Sequence, residues 1–169
     1  MAKPIPEGYH TITPVLTVRD GAQMIEFYKR AFGAQERMRF PGPDGKTIMH
    51  AEMRVGDSIF MLSDEQPGMG CRAPVSVGGT PVSQFMYVPD VDSAFKRAVD
   101  AGAKVVMPVS NMFWGDRFGQ VDDPSGHRWG LATHVEDVSP EEMNRRQKEF
   151  FASMAQQGAS QQGAGGQKK

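Results

Sequence analysis

The apolar and polar positions along the chain predict the same order of elements twice. In the first half, a β-type run at residues 12–18 leads into apolar side chains at helical spacing, and Gly33 provides a helix stop. In the second half, a run at residues 83–88 leads into a second stretch of helical spacing. Because three short β-type runs follow each helix, the sequence predicts two strand–helix–three-strand modules, at about residues 10–64 and 81–134.

Turns rich in glycine and proline separate the short β-type runs, as expected for hairpins. A further Gly/Pro-rich segment, at residues 64–80, connects the two modules. We therefore expect one α+β domain over residues 1–136. The predicted short runs are residues 35–40, 47–55 and 58–62 in the first module, and 104–108, 118–122 and 127–132 in the second.

The segment after the second module begins with a strong helix start. Ser139 can cap the first turn, Pro140 suits the first helical position, and Glu141 and Glu142 favour the positive end of the helix dipole. We predict a helix over residues 139–156. The remaining residues, 157–169, contain only Gly, Ala, Ser, Gln and Lys, which bury too little apolar surface to order a chain, so a disordered tail is predicted there.

Charge and composition exclude several classes of partner. The 19 Lys and Arg residues nearly balance the 20 Asp and Glu residues, so no positive excess favours nucleic acid or an anionic membrane surface. No stretch approaches the ~18 consecutive apolar residues of a membrane span, and residues 1–9 lack the apolar run of a signal peptide. Cys71 is the single cysteine of the 169 residues, which fits a cytoplasmic protein without disulfides.

Several segments resemble a known superfamily. Residues 17–34 are similar to the first-helix signature, and residues 122–129 to the closing turn, of the vicinal oxygen chelate superfamily of glyoxalase I, bleomycin-resistance proteins and extradiol dioxygenases. The resemblance covers about residues 10–150. Finer similarity to the PhnB-like branch lies in four segments: residues 40–45, 56–58, 113–119 and 132–142. The resemblance implies a cupped mixed sheet built from two βαβββ modules, a small-molecule ligand in the cup, and a homodimer.

The superfamily's metal site is not expected in this chain. In metal-dependent members, the first and last strands of each module supply four ligands, usually His, Gln or Glu. By this resemblance the corresponding positions are Thr13, Met61, Ser83 and Gly130. Divalent ions need several imidazole or carboxylate donors, which these residues do not provide. We therefore expect no metal and no other cofactor at this site.

A second set of polar residues could carry chemistry. His50 and Glu52 lie two positions apart on a predicted strand, so both side chains point to one face, and His134 lies at the rim. They could act as acid and base or as ligands of a displaced metal. The alternative is a solvated polar face, which is the commoner situation.

The remaining candidates would bind a ligand. Trp114, Asp116 and Arg117 belong to an aromatic segment that the resemblance places at the mouth of the cup, where the Asp–Arg pair could hold a carboxylate. Strand alternation and the resemblance add five further ligand-binding candidates: Thr13, Met61, Phe85, Tyr87 and His134.

Three functions remain open from the sequence. We expect first a metal-free small-molecule binder, since all four ligand positions are lost. The second is a lyase, isomerase or dioxygenase-type enzyme that uses His50 and Glu52. The third is an interaction protein that presents the helix at residues 139–155. No Gly-x-Ser-x-Gly nucleophile motif and no phosphate-binding loop is present in the sequence.

Overall fold

Two four-stranded mixed sheets, each covered on one face by a helix, form the two modules. The computed structural model describes residues 3–163, and the side chains of residues 3–155. The elements are β1 (Val15–Val18), α1 (Gly21–Phe32), β2 (Gln35–Pro41), β3 (Ile48–Val55), β4 (Ser58–Asp64), α2 (Pro74–Val77), β5 (Ser83–Tyr87), α3 (Val91–Asp100), β6 (Lys104–Asn111), β7 (Asp116–Asp122), β8 (Arg128–His134) and α4 (Pro140–Gly163). The predicted α+β fold class is confirmed.

The two sheets have the same topology. The strand order is β1-β4-β3-β2 in the first sheet and β5-β8-β7-β6 in the second. The first and last strands of each module pair in parallel, and the other neighbours pair antiparallel. Each module therefore carries its first strand at one edge of its sheet, as the internal repetition predicts.

Local signals in the sequence set the ends of α1 and the start of α3. Asp20 caps α1 by accepting a hydrogen bond from the Gln23 backbone at 3.1 Å, and Gly33 ends the helix in a left-handed conformation with φ of 65°. Asp90 caps α3 in the same way by accepting from the Ser93 backbone at 3.1 Å. These caps confirm the helix starts expected from the sequence.

The helix-covered faces of both sheets meet in one hydrophobic core. Trp129 of β8 packs against Phe32 of α1, with ring centroids 4.8 Å apart, so a side chain of the second module fills the core of the first. The buried Asp123 carboxylate accepts from the Tyr28 hydroxyl at 2.7 Å and from Trp129 Nε1 at 3.0 Å. Burial, followed by the Asp123 charge, raises the pKa of Tyr28 well above its usual value. These contacts hold the two modules in a fixed relation.

β4, β6, β7 and β8 extend two or three residues beyond their predicted limits, and the structure departs from the prediction at three further places. β1 begins at Val15 rather than at residue 12, because Pro14 lacks the N–H that a strand partner would accept. The connecting segment contains a 3₁₀ turn at Pro67–Met69 and the short helix α2.

The third difference lies at the C-terminal end. α4 continues to Gly163, beyond the predicted end at residue 156, since Ala and Gln are good helix formers. The rest of the predicted tail, residues 164–169, lies outside the described residues. Within the part of the chain that is described, no helix combines the length and apolarity needed to cross a bilayer.

Candidate functional site

The uncovered face of the first sheet is apolar with a polar centre. Cross-strand pairing places Val15, Met61, Glu52 and Met38 side by side on this face, on four different strands. Val15 is 64% exposed, whereas Glu52 is only 8% exposed. A nearly buried carboxylate therefore lies in the middle of an apolar surface.

The residues around Glu52 form a small polar cluster. His50 Nε2 lies 3.5 Å from Glu52 Oε1, and Arg37 Nη1 lies 3.5 Å from Glu52 Oε2. The Arg37 guanidinium also lies over the Tyr9 ring, 5.4 Å from its centroid. Burial and the nearby Glu52 carboxylate raise the pKa of Tyr9. The structure thus brings His50 and Glu52 together, at a separation longer than the ~2.7–2.9 Å of a strong charge-assisted hydrogen bond.

The uncovered face of the second sheet carries a contiguous set of four rings. Phe85 and Phe118 stack with centroids 5.3 Å apart and an interplanar angle of 10°. Tyr87 lies 5.2 Å from Phe85, and Trp114 lies 6.0 Å from Phe118. We call Phe85, Tyr87, Trp114 and Phe118 the aromatic wall. Phe85 and Tyr87 are 49% and 65% exposed, so the wall presents ring surface to a ligand.

A glycine in β8 makes this ring packing possible. A Cβ atom at Gly130 would lie 2.8 Å from Phe118 Cε2 and 3.0 Å from Phe85 Cδ2, closer than carbon atoms approach without displacement. Any side chain at position 130 would therefore push the two rings away. The rings occupy the space in which a residue at this position would project.

Asp116 joins two rings of the wall to His134. The carboxylate is 3% exposed and accepts from Trp114 Nε1 at 2.9 Å, Tyr87 Oη at 3.0 Å and His134 Nδ1 at 2.8 Å. Burial raises the pKa of Asp116, but the hydrogen bonds from His134, Tyr87 and Trp114 outweigh burial and hold the pKa below its usual value. Asp116 is therefore an ionised, fully engaged carboxylate at neutral pH.

His134 bridges two carboxylates. Its Nε2 atom lies 3.0 Å from Asp137 Oδ1, on the side opposite the bond to Asp116. Asp137, and then Asp116, raise the pKa of His134 above its usual value. When both ring nitrogens are protonated, each donates to one carboxylate.

Arg117 points away from Asp116. Successive residues of β7 face opposite sides of the sheet, so Arg117 lies on the other side and donates two hydrogen bonds to Asp92, at 2.6 and 2.7 Å. It also donates to Asn111 at 3.0 Å. The Asp116–Arg117 pair expected from the sequence does not form, and ligand binding by Arg117 stays a prediction.

A cavity of about 810 Å³ lies between the two modules. Its first side comes from residues 10–14 and the β3–β4 turn, and its second side from β5 and the start of α3. Phe85 and Tyr87 line it, so two rings of the aromatic wall form part of its boundary.

The other predicted ligand-binding residues lie outside the cavity lining. Trp114 and His134 are hydrogen-bonded to Asp116, which also accepts from the lining residue Tyr87. The Thr13 hydroxyl donates to the His10 carbonyl at 3.2 Å and is engaged locally. Met61 lies on the uncovered face of the first sheet beside Glu52.

Sequence reasoning missed several residues that line the cavity, namely Ile12, Asp57, Asp90 and Arg97. They come from the segment before β1, the β3–β4 turn, the N-cap of α3 and the last turn of α3. The internal repetition marks these segments as ends of elements. It does not reveal that the two modules bring them together, so no local pattern identifies them as a site.

Comparison with known proteins places these features in a family. The model of the Glyoxalase/Bleomycin resistance protein/Dioxygenase superfamily matches residues 9–131. The chain belongs to this superfamily. The resemblance seen in the sequence is confirmed at this level, and superfamily members bind small molecules.

Three related proteins illustrate the similarity. An uncharacterized protein of Mycobacterium bovis is 44% identical over 150 residues, which cover 87% of this chain and 93% of the relative. The X-ray structure of an Arabidopsis thaliana gene product has a TM-score of 0.60 and 26% identity, covering 73% of this chain and 98% of that one. A Bacillus cereus PhnB protein is described as a putative 3-demethylubiquinone-9 3-methyltransferase. It has a TM-score of 0.57 and 18% identity, covering 73% of this chain and 99% of that one.

The positions that hold the metal in metal-dependent superfamily members do not fit an ion here. Thr13 is bonded to a backbone carbonyl, Met61 offers a thioether, and Phe118 and Phe85 crowd Gly130. Within residues 3–155, no group of three or more His, Cys, Asp or Glu side chains is arranged to hold an ion.

The three residues of the alternative set do not form one cluster in space: His50, Glu52 and His134. His50 and Glu52 lie on the first sheet, whereas His134 is bonded to Asp116 and Asp137 beside the second.

Proposed function

We propose that this chain binds a small organic molecule with an aromatic or amphipathic body in the cavity between its modules, without a resident divalent metal. The observation that carries the proposal is the cavity of about 810 Å³ bounded by Phe85, Tyr87 and Trp129. Small-molecule sites typically have volumes of roughly 300–1,000 Å³ and mostly apolar walls with a few polar groups. Asp57, Asp90 and Arg97 are such polar groups in the lining.

The side chains at the superfamily's ligand positions support binding without metal. A metal site would need donors that converge on one point, and Gly130 has none. Phe85 and Phe118 also fill the space beside Gly130. In this chain that part of the cup serves ring packing, which suits recognition of an apolar ligand.

A homodimer is part of the proposal. The exposed apolar side chains on the uncovered sheet faces include Val15, Phe40 at 54% exposure, Phe85 and Tyr87. Soluble proteins rarely leave large apolar patches open, and such patches usually mark interfaces or ligand sites. A second copy that faces these surfaces would enclose a ligand more completely than one chain does.

Two finer assignments belong to the proposal. We place the chain in the PhnB-like branch because of the four sequence segments that resemble it, to which the Bacillus cereus PhnB protein adds likeness of fold alone. We place it in the cytoplasm, without nucleic-acid or membrane partners, because of its balanced charge and its exposed, unpaired Cys71.

The test is a ligand screen on protein dialysed against a chelator. Thermal unfolding is followed with a library of small aromatic and amphipathic compounds, for the native protein and for Tyr87→Ala. We expect compounds that raise the unfolding temperature of the native protein and act less on the variant, with Phe151→Ala, at an exposed ring of α4, as the matched control. Stabilisation that appears only after Zn²⁺ or Ni²⁺ is added would contradict metal-free binding. The dimer is tested separately by sedimentation, in which a monomer at high concentration would refute it.

A second candidate function is an enzyme of the lyase, isomerase or dioxygenase type that uses His50 and Glu52 as acid and base. The favouring observation is the nearly buried Glu52 carboxylate beside His50. For a compound found in the screen, His50→Ala should abolish its conversion and leave its binding unchanged. If no hit is converted by the native protein, binding alone remains.

A further inference from the structure

We propose that the aromatic wall selects organic cations, that is, ligands in which a quaternary or protonated nitrogen is attached to an apolar body. The inference rests on the proposed function, because it names the chemical class that the cavity would take. The observation behind it is the juxtaposition of four rings with the buried carboxylate of Asp116. Cations are attracted to the faces of aromatic rings, and several rings around one cation form a well-known type of recognition site.

The rings present accessible faces at the cavity boundary. Phe85 and Tyr87 are both about half exposed or more, and both line the cavity. Phe118 is buried behind Phe85 and stacked on it, which fixes the orientation of the Phe85 ring. The wall is therefore a preformed surface, and a ligand that covers it orders few side chains.

Asp116 makes two of the rings better partners for a cation. Tyr87 donates its hydroxyl proton, and Trp114 its indole N–H, to the same oxygen, Oδ2. A donor bonded to an anion shifts electron density toward its ring, and hydrogen bonds polarise one another strongly in a poorly solvated site. The carboxylate thus acts on a ligand through the rings, although its own oxygens are fully engaged.

The charges around the wall leave it net negative. Asp116 and Asp137 contribute two negative charges, and His134 between them contributes at most one positive charge. Arg117, the nearest residue along β7, is drawn to Asp92 on the opposite face by two hydrogen bonds. The sum is negative in both protonation states of His134, which favours a cation over an anion.

The rest of the cavity does not reverse this preference. Two carboxylates, Asp57 and Asp90, and one guanidinium, Arg97, line it. The Ser93 hydroxyl and backbone N–H hold the pKa of Asp90 below its usual value, so Asp90 is ionised at neutral pH. With the imidazole of His10, which also lines the cavity, in its neutral form, the charged groups of the lining also carry a net negative charge.

The test compares two probes of the same shape, phenyltrimethylammonium and neutral tert-butylbenzene. Their dissociation constants are measured by NMR titration of the native protein and of Phe85→Leu, which keeps an apolar side chain and removes a ring. We expect Phe85→Leu to weaken binding of the cation by roughly 3- to 30-fold, which is the range of a cation–ring contact. The same variant should weaken binding of the neutral probe by less than about twofold. Phe151→Leu makes the same change at an exposed ring of α4 outside the cavity and should leave both constants unchanged.

The Asp116→Asn variant tests the charge, with thermal unfolding as a check of its fold. It should weaken binding of the cation and leave binding of the neutral probe unchanged. If the variant does not fold, the Phe85→Leu comparison decides. Equal weakening of both probes by Phe85→Leu, or binding of tert-butylbenzene without the cation, would overturn the selection of cations and leave small-molecule binding intact. Absence of any ligand in the chelator-treated screen would instead overturn the proposed function.

Discussion

Gly130→Ala should destabilise the fold, because the added methyl group would collide with the aromatic wall. The Cβ atom would lie 2.8 Å from Phe118 Cε2 and 3.0 Å from Phe85 Cδ2. Phe85 is half exposed and can move, whereas Phe118 is buried and cannot move without disturbing its neighbours. Adding a methyl group to such a packed site costs about 1–3 kcal/mol in the free energy of unfolding.

A matched glycine separates this cost from the general effect of replacing glycine. An added Cβ at Gly68 would meet no atom within 4 Å. Gly→Ala also restricts the unfolded chain, which stabilises by about 0.4–1 kcal/mol at either site. The difference between the two variants therefore isolates the collision, and we expect Gly130→Ala to be less stable than Gly68→Ala by about 1–3 kcal/mol.

The assay is urea unfolding followed by circular dichroism, with the free energy extrapolated to water. A second pair of variants places Gly130→Ala in a Phe118→Leu background, where the smaller side chain leaves room for the methyl group. The loss in free energy of unfolding caused by Gly130→Ala should be at least halved in the Phe118→Leu background. Equal stability of Gly130→Ala and Gly68→Ala, or an unchanged cost in the Phe118→Leu background, would show that the rings do not occupy the space beside residue 130.

Three further predictions concern buried or capped polar groups. Tyr28→Phe removes a donor from the buried Asp123 and should cost about 1–3 kcal/mol in urea unfolding; a cost below about 0.5 kcal/mol would refute the role of this bond. The pKa of His134, measured by NMR, should lie above the usual value of about 6.5. The contribution of His134 to stability is then complete below that pH and is lost as the pH rises through the raised pKa. Asp116→Asn should lower the pKa of His134, and an unchanged pKa in this variant would contradict the His134–Asp116 bond. Asp90→Ala removes the side-chain cap of α3 and should lower the free energy of unfolding by about 1 kcal/mol. An unchanged midpoint of urea unfolding would show that the bond from the Ser93 N–H to Asp90 does not stabilise the helix.

The order of elements could be predicted because local patterns determine it. Asp20 and Gly33 mark the ends of α1 through a side-chain cap and a left-handed residue, both of which depend on a few neighbouring residues. Strand alternation likewise places His50 and Glu52, two positions apart on β3, on one face. Internal repetition then sufficed to infer two modules, and the superfamily was indicated by the resemblance of residues 17–34 and 122–129 to its motifs.

The site could be predicted only in part, because it depends on contacts between distant segments. Asp116 collects donors from Tyr87, Trp114 and His134, which belong to different elements. The partner of Arg117 is Asp92, which lies on another element. No local pattern indicates such pairs, so the sequence could name Asp116 and Arg117 together but not show that they face opposite sides of the sheet. The ligand-binding roles of the predicted site residues stay predictions.

The cavity itself was the least predictable feature. It lies between the modules, beside the contact of Trp129 from the second module with Phe32 from the first. The lining residues Asp57 and Arg97 are ordinary surface residues within their own elements. Their shared role follows from the packing of the modules, which sequence periodicity does not encode.

The most direct test of metal-free binding between the modules is an NMR titration of chelator-treated protein with phenyltrimethylammonium, with backbone amide shifts mapped on the chain. We expect shifts concentrated in residues 84–90 and at the β3–β4 turn, which line the cavity, and the same shifts when Zn²⁺ is present. Shifts that appear only with metal, or that cluster elsewhere on the chain, would contradict metal-free binding in the cavity between the modules.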